Sequence, residues 1–502
     1  MSSAKALQAQ VYACTLHGVQ ARLVTVEIEV SGGLPGIHIV GMGDKGVQEA
    51  KQRVHSAINA SGFKMPMNRH IVVNLAPASM KKSGSGFDLP IAIAYLIATG
   101  QVSAEYFKGA IVAGELSLKG EVRPLDGLFA YALCAHQKDM ALISAQPHTN
   151  FPALSNLRHL CIDNLAQLHE GTFDAARENL VSSKMRQLDF AEVVGQETAL
   201  RALTIAAAGG HGALLIGPPG AGKSMLARRF PTILPPLSQN ERVESAVIHS
   251  VAGLDVSSIA QGVRPFRAPH HSATAASLVG GGQPIMPGEV SLAHHGVLFL
   301  DELGEFGASV LQSLRQPLED GEVSLTRAEG RMTFPARFQL LAASNPCPCG
   351  YLGDKDHPCK CTEVQVLRYK SKLGGPLRDR IDLICEVCRV DPKHVLESGH
   401  GRSSAKIADQ VMAARERAYA RLGLNEEIGS PTSSAQTIKR CNLDEGGKRI
   451  VEHISATHHL SGRGIIRVLR VARTIADLDD SASVKEDHLY EAFMFRVENT
   501  LD

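Results

Sequence analysis

The stretch Gly217-Pro218-Pro219-Gly220-Ala221-Gly222-Lys223-Ser224-Met225 contains the pattern G-x-x-x-x-G-K-[ST] in its first eight residues. Its chemistry is phosphate binding. Glycines let the backbone approach an anion, and consecutive N–H groups and the start of a following helix point at it. Lys223 is expected to reach the β- and γ-phosphates of ATP, and the Ser224 hydroxyl to ligate Mg²⁺. Further on, Val297-Leu298-Phe299-Leu300-Asp301-Glu302 is an apolar run ending in two carboxylates. Asp301 is placed to hold Mg²⁺ through water, and Glu302 to orient and polarise the attacking water. A third apolar run, Phe338 to Ser344, ends in the polar Asn345.

Cys347-x-Cys349 and Cys359-x-Cys361 bring four thiols together, separated by nine residues. Four thiolates suit a closed, tetrahedral, structural Zn²⁺ site, with His357 as an alternative ligand. Such a site would pin the loop after Asn345. Cys385 and Cys388 fall in an apolar strand, where core packing is the default.

These residues need a parallel sheet to hold them. Ala213-Leu214-Leu215-Ile216 has the length and composition of a buried strand, Ala199 to Ala208 precedes it as a helix, and Ser224 to Phe230 begins another. Before this core, partial alternation over Gln10 to Ser31, a turn at Gly32 to Gly36, a strand at Ile37 to Val40 and a helix capped by Asp44 start a separate α+β domain. We divide the chain into an N-terminal domain (1–170), a polar linker (171–188), an ATPase core (189–395) and a helical lid (396–502). Glu322 to Pro335 reads as a β-hairpin carrying Arg327 and Arg331. In the lid, Arg463 starts a helix, and Arg467, Arg470 and Arg473 follow at helical spacing as a solvated or subunit-facing stripe.

The 502 residues are 44% hydrophobic and 21% charged, the composition of a soluble globular protein of several domains. Lys plus Arg (52) balance Asp plus Glu (51), so no global basic field advertises nucleic acid, although a ring can confine positive charge to its pore. Neither a signal peptide nor an apolar run of membrane-spanning length is apparent, and a cytoplasmic location is expected.

Lys82-Ser83-Gly84-Ser85-Gly86-Phe87-Asp88-Leu89 and Gly120 to Leu128 resemble the proteolytic domain of Lon-type peptidases. That family's serine position falls at Phe87 or Asp88 and its lysine position at Phe129, so the resemblance implies a Lon-like fold without the catalytic dyad. Over nearly its whole length, the chain resembles the magnesium-chelatase-like AAA+ family. The resemblance rests on Arg264-Pro265-Phe266-Arg267-Ala268-Pro269-His270-His271, Leu278 to Gly282, Pro287 to Gly296, and Asn345-Pro346-Cys347-Pro348-Cys349-Gly350. It implies a hexameric ATPase in which Asn345 is the first sensor and Arg463 the second. Arg380, or failing it Arg378, would reach the neighbouring subunit's γ-phosphate. It also implies an ATP-driven motor on single-stranded, double-stranded or branched DNA, promoting branch migration during natural transformation, with recombination proteins as further partners. The segment 264–295 would then be a pore-facing insertion, with Arg264, Arg267, His270, His271, Arg327 and Arg331 as candidate DNA contacts. The alternatives are a chelatase motor subunit and a protein-remodelling ATPase.

Overall fold

The computed structural model describes residues 7–34, 36–65, 69–177, 188–327, 330–354, 357–373, 377, 380–390, 401–422, 428 and 433–496. Residues 7–175 form around one eight-stranded mixed sheet. Across it the strands run Asp174–Ala175, His159–Cys161, Ala141–Ser144, Ala110–Val112, Leu7–His17, Gln20–Gly32, Arg69–Ala76 and Gly36–Val40. The first two strands in sequence pair antiparallel from Leu7↔Val30 to His17↔Gln20. Period-two side-chain geometry sends Val11 and Ala13 into the cluster with helices Lys45–Ala60 and Asp88–Ala98, while Cys14 joins the cluster with helix Leu128–Gln137. Asp44 caps the helix at Lys45–Ala60 through a 2.9 Å bond from the Val47 N–H, the role expected of it. The strand Asp174–Ala175 lies inside the expected linker, so the sheet runs past residue 170. Its two exposed residues carry no apolar signal. Residues 178–187 of the expected linker fall outside the described residues.

The ATPase core is a five-stranded, wholly parallel sheet in the order Phe266–Arg267, Val297–Leu300, Gln339–Ser344, Ala213–Ile216 and Leu383–Glu386. Strands 213–216 and 297–300 are buried at every residue, as near-continuous apolar runs of a doubly covered sheet require. Helices Glu197–Gly209, Ser404–Arg421, Gly462–Leu478 and Glu486–Met494 share one apolar cluster with that sheet. Among the described residues, no helix is long and apolar enough to cross a membrane.

The N-terminal domain docks on the core through helix Leu128–Gln137, which lies against helix Gln239–Val251. The Gly127 N–H donates to the Ser250 carbonyl at 2.7 Å, and the Phe129 N–H to Ser250 Oγ at 3.2 Å. Phe129 is therefore a docking residue. Asp88 is fully buried and forks onto Arg53 at 2.6 and 3.0 Å, while Ser85 bonds to Glu115.

Candidate nucleotide site

The phosphate loop leaves strand Ala213–Ile216 at Gly217 and enters helix Lys223–Arg229. A Cβ at Gly217 would lie 2.1 Å from the Val387 carbonyl oxygen, so only glycine fits there. Gly220 and Gly222 have φ of +79° and +94°, the left-handed geometry that turns the loop's N–H groups toward one point. Lys223 Nζ donates to the carbonyls of Gly217 (2.6 Å) and Pro218 (3.0 Å) and to Asn345 Oδ1 (3.2 Å). Burial lowers the Lys223 pKa, against the pull of Asp301 and Glu302. Ser224 Oγ donates to Asp301 Oδ2 at 2.6 Å. Three adjacent parallel strands thus deliver Lys223, Ser224, Asp301 and Asn345 to one edge of the sheet. The donor set fits a triphosphate with Mg²⁺: a cationic amine, a ring of backbone N–H groups, and a hydroxyl and carboxylate sharing the metal position.

Gln196, which carried no signal in the sequence, braces this loop. Its Nε2 donates to the carbonyls of Ala221 (3.0 Å) and Cys388 (2.8 Å). Cys388 itself is exposed, contrary to the core position expected of it, while Cys385 is buried.

The Sγ atoms of Cys347, Cys349, Cys359 and Cys361 lie within 4.8 Å of one another, with Cys347–Cys349 at 3.4 Å, Cys349–Cys359 at 3.5 Å and Cys347–Cys359 at 3.7 Å. Those separations are far longer than a disulfide bond of about 2.05 Å and close to the ~3.8 Å edge of a tetrahedron with ~2.3 Å Zn–S bonds. The set fits a metal ion. His357 stands outside it, with Nδ1 3.0 Å from Arg389 Nη1. The cysteine loop rests on the phosphate loop, because a Cβ on Gly350 would come within 2.7 Å of Pro219.

Arg380 pairs with Glu319, which also accepts Arg315 Nε at 3.2 Å. Arg378 and the side chain of Arg327 lie outside the described residues. Arg463 is exposed at the start of helix Gly462–Leu478. The arginines after it do not form a solvated stripe. Arg473 is 7% exposed and donates to Asp477, Ser481 and Ala482, and Arg467 lies 3.9 Å from Asp382.

Two expected DNA contacts have ion-pair partners within the chain. Arg264 bonds to the Pro235 carbonyl (2.6 Å), the His295 carbonyl (2.6 Å) and Glu241 (3.1 Å), and Arg267 forks onto Glu289 at 2.6 and 2.8 Å. His270 bonds to Ser272, and His271 Nδ1 lies 3.0 Å from Glu302 Oε2. Arg331 is exposed on the hairpin formed by strands Glu322–Arg327 and Gly330–Pro335, with Nη2 3.0 Å from Ser324 Oγ.

A second cluster, Glu244 with His294 and His295, sits behind strand Val297–Leu300. Glu244 Oε2 is 3.1 Å from His294 Nε2 and 2.8 Å from His295 Nε2. His294 Nδ1 accepts the Arg337 backbone N–H at 3.0 Å, so its proton is on Nε2 and points at Glu244. The cluster is a hydrogen-bond clamp from helix Gln239–Val251 to the approach of the strand. Bonds from His294 and His295 hold the Glu244 carboxyl well below the usual carboxylate range.

A parallel sheet carrying a phosphate loop, a carboxylate pair and a polar strand end on neighbouring strands fits an ATPase core of the AAA+ type. The model for "Magnesium chelatase, subunit ChlI" matches residues 189–395, "Subunit ChlI of Mg-chelatase" matches 26–148, and "Magnesium chelatase, subunit ChlI C-terminal" matches 401–496. The chain belongs to this magnesium-chelatase-like ATPase family. It is 42% identical to the protein YifB of Escherichia coli over 489 residues, 95% of each chain. It is 40% identical to the competence protein ComM of Haemophilus influenzae over 499 residues, 97% of each. The DNA replication licensing factor Mcm6 of Drosophila melanogaster is 25% identical over 224 residues, covering 42% of this chain and 25% of that protein. Membership implies ATP binding and hydrolysis, and ATP-driven motor action.

Proposed function

We propose that the protein is a ring-forming, ATP-driven DNA translocase that moves branched recombination intermediates, as in natural transformation. The observation that carries the ATPase part is the convergence of Lys223, Ser224, Asp301 and Asn345 on one sheet edge. Lys223 holds the β- and γ-phosphates, Ser224 and Asp301 share Mg²⁺, Asn345 positions the attacking water, and Glu302 takes up its proton. Bound Mg²⁺ supplies charge neutralisation across the phosphates. Arg380 acts on the nucleotide of the next subunit, and Arg463 touches the nucleotide from the lid. The N-terminal domain has the Lon-like fold but works as a docked scaffold. Zn²⁺ on the four cysteines stiffens the loop that supports Pro219.

The DNA part is supported by likeness to a competence protein and, over the core, to a replication licensing factor. Exposed Arg331 at the hairpin and exposed His270 on the insertion present groups suited to phosphates, which are contacted without sequence preference. The test is ATP hydrolysis with and without forked or four-way-junction DNA at moderate salt, alongside particle size. Stimulation by DNA together with ring-sized particles is the expected result. No stimulation on any substrate would remove DNA from the proposal and favour a protein-remodelling or chelatase role.

A further inference from the structure

Strand Leu383–Glu386 lies beside strand Ala213–Ile216 in parallel register, with Glu386 opposite Ile216, so both chains leave the sheet at the same end. One enters the phosphate loop. The other reaches Arg389, whose Nη2 donates back to the Pro219 carbonyl at 3.4 Å.

That bond completes a pattern within the loop. The carbonyls of Gly217 and Pro218 accept from Lys223 Nζ, that of Pro219 from Arg389, and that of Ala221 from Gln196. A trans peptide plane points its C=O and the following N–H in opposite directions, so a carbonyl held from the protein side leaves the next N–H free to face an anion. Lys223 gives up its carbonyls when its amine moves to the phosphates of ATP. Arg389 and Gln196 remain. The N–H that Arg389 orients is that of Gly220, and nothing lies within 4 Å of a Cβ added to Gly220, so no packing at that position does the same.

The guanidinium is itself held by the cysteine loop. Nη1 lies 3.0 Å from His357 Nδ1, Nε 3.7 Å from Asp354 Oδ2, and Cζ 5.6 Å from the centre of the Tyr351 ring, within the range of a cation–π contact. The Tyr351 ring stacks on His357 at 5.1 Å, and the Asp354 side chain is 4% exposed. All three residues lie between Cys349 and Cys359, so the four-thiol site closes the loop that holds them. An exposed arginine on one carboxylate is worth little. Here a planar fork spans two loops, with one Nη serving each.

We propose that Arg389 is a positioning residue for ATP binding. It carries the shape of the metal-closed cysteine loop to the peptide between Pro219 and Gly220, so that metal and nucleotide bind with positive coupling. Such coupling is reciprocal: the factor that the metal adds to ATP affinity, ATP adds to metal affinity. This role rests on the proposed nucleotide and Zn²⁺ sites and adds to them a residue and a linkage.

Equilibrium titration of the full chain with a fluorescent ATP analogue and Mg²⁺ tests it, before and after Zn²⁺ is removed by a chelator that is then dialysed away. Wild type, Arg389→Gln and Arg389→Lys are compared, with zinc content and melting temperature followed in each. Loss of the bridge in Arg389→Gln is expected to weaken binding about three- to tenfold at unchanged zinc content, the lower end for a hydrogen bond from a partly exposed charged group. Steady-state hydrolysis is expected to show that loss in KM rather than in kcat. Removing zinc is expected to weaken binding by wild type about tenfold, and binding by Arg389→Gln by a smaller factor because its bridge is already cut. Arg389→Lys keeps the charge but offers one ammonium to two partners, and is expected to behave like Arg389→Gln. Wild-type affinity in Arg389→Gln overturns the role, and so does full rescue by lysine, which would trace the effect to charge alone. Equal losses on zinc removal in wild type and Arg389→Gln overturn the coupling. If the wild type holds no zinc and Arg389→Gln still binds the analogue more weakly, Arg389 keeps its place at the phosphate loop and the metal assignment falls. A wild type that binds no nucleotide overturns both.

Discussion

Replacing Gly350 with alanine tests whether the cysteine loop supports the phosphate loop. Gly350 has φ +84°, where a non-glycine residue costs about 1 kcal/mol, and its new Cβ would stand 2.7 Å from Pro219 Cδ and 2.8 Å from Cγ. An overlap of that kind adds ~1–3 kcal/mol in a packed region. Something on the order of 2–4 kcal/mol must therefore be relieved by movement of one loop or the other. Gly353 is the matched control: it has φ +78° in the same loop, and nothing lies within 4 Å of its added Cβ. If four cysteines anchor the Gly350 side, Pro219 gives way and the N–H cradle opens. The expected result is ATP affinity weakened about tenfold or more in Gly350→Ala, equivalent to at least ~1.4 kcal/mol, and within about twofold of wild type in Gly353→Ala. Titration with a fluorescent ATP analogue measures both. Wild-type affinity in both variants, with the chain folded and its metal content unchanged, would refute the argument.

Glu302→Gln is expected to bind ATP normally and to lower turnover about 10²- to 10⁴-fold, the usual loss for a general base, as read by single-turnover hydrolysis. Elemental analysis is expected to find one zinc per chain in the wild type and a clear loss in Cys359→Ser, with a lower melting temperature; equal zinc in both would exclude the four-thiol site. Burial lowers the His159 pKa to about 4, with Nε2 2.8 Å from Ser144 Oγ. The unfolded chain therefore binds this proton before the folded one does, so the contribution is complete above pH ~6.5 and is lost as pH falls from there toward 4. Melting temperatures across that window should fall less steeply in His159→Gln than in wild type, and parallel slopes would count against the assignment.

The parts of this molecule that could be read from sequence are those whose physics is local. Strands 213–216, 297–300 and 339–344 are apolar runs because the sheet is covered on both faces, and the hairpin pairing Glu322 with Pro335 shows its turn and its alternation. The grouping of Lys223, Ser224, Asp301 and Asn345 was foreshadowed because Asp301 and Asn345 follow strand ends and Lys223 and Ser224 follow the loop that leaves one, and parallel strands bring such ends together. Side-chain partners were not legible. Arg264 reaches Glu241 and Arg267 reaches Glu289, 23 and 22 residues away, and nothing in their spacing distinguishes an ion pair within the chain from a free phosphate contact. Arg473 looked like part of a surface stripe because helical periodicity gives the face and not what covers it. Helix Gln239–Val251 does carry a readable start, the capping box of Ser238 and Glu241, and that signal could have placed the docking helix in advance.

The Arg267–Glu289 pair also bears on how this ATPase can be altered. It closes the base of the 268–288 segment, within which Leu278 packs in the apolar cluster of Leu298 and Leu300 while residues 282–284 form an exposed turn. Doubling the length of such a closed loop costs only about 0.6 kcal/mol. The exchangeable part of the segment is thus that exposed turn. Its tip can be lengthened, shortened or traded for one with another binding preference, while the hydrolytic edge of the sheet is inherited unchanged.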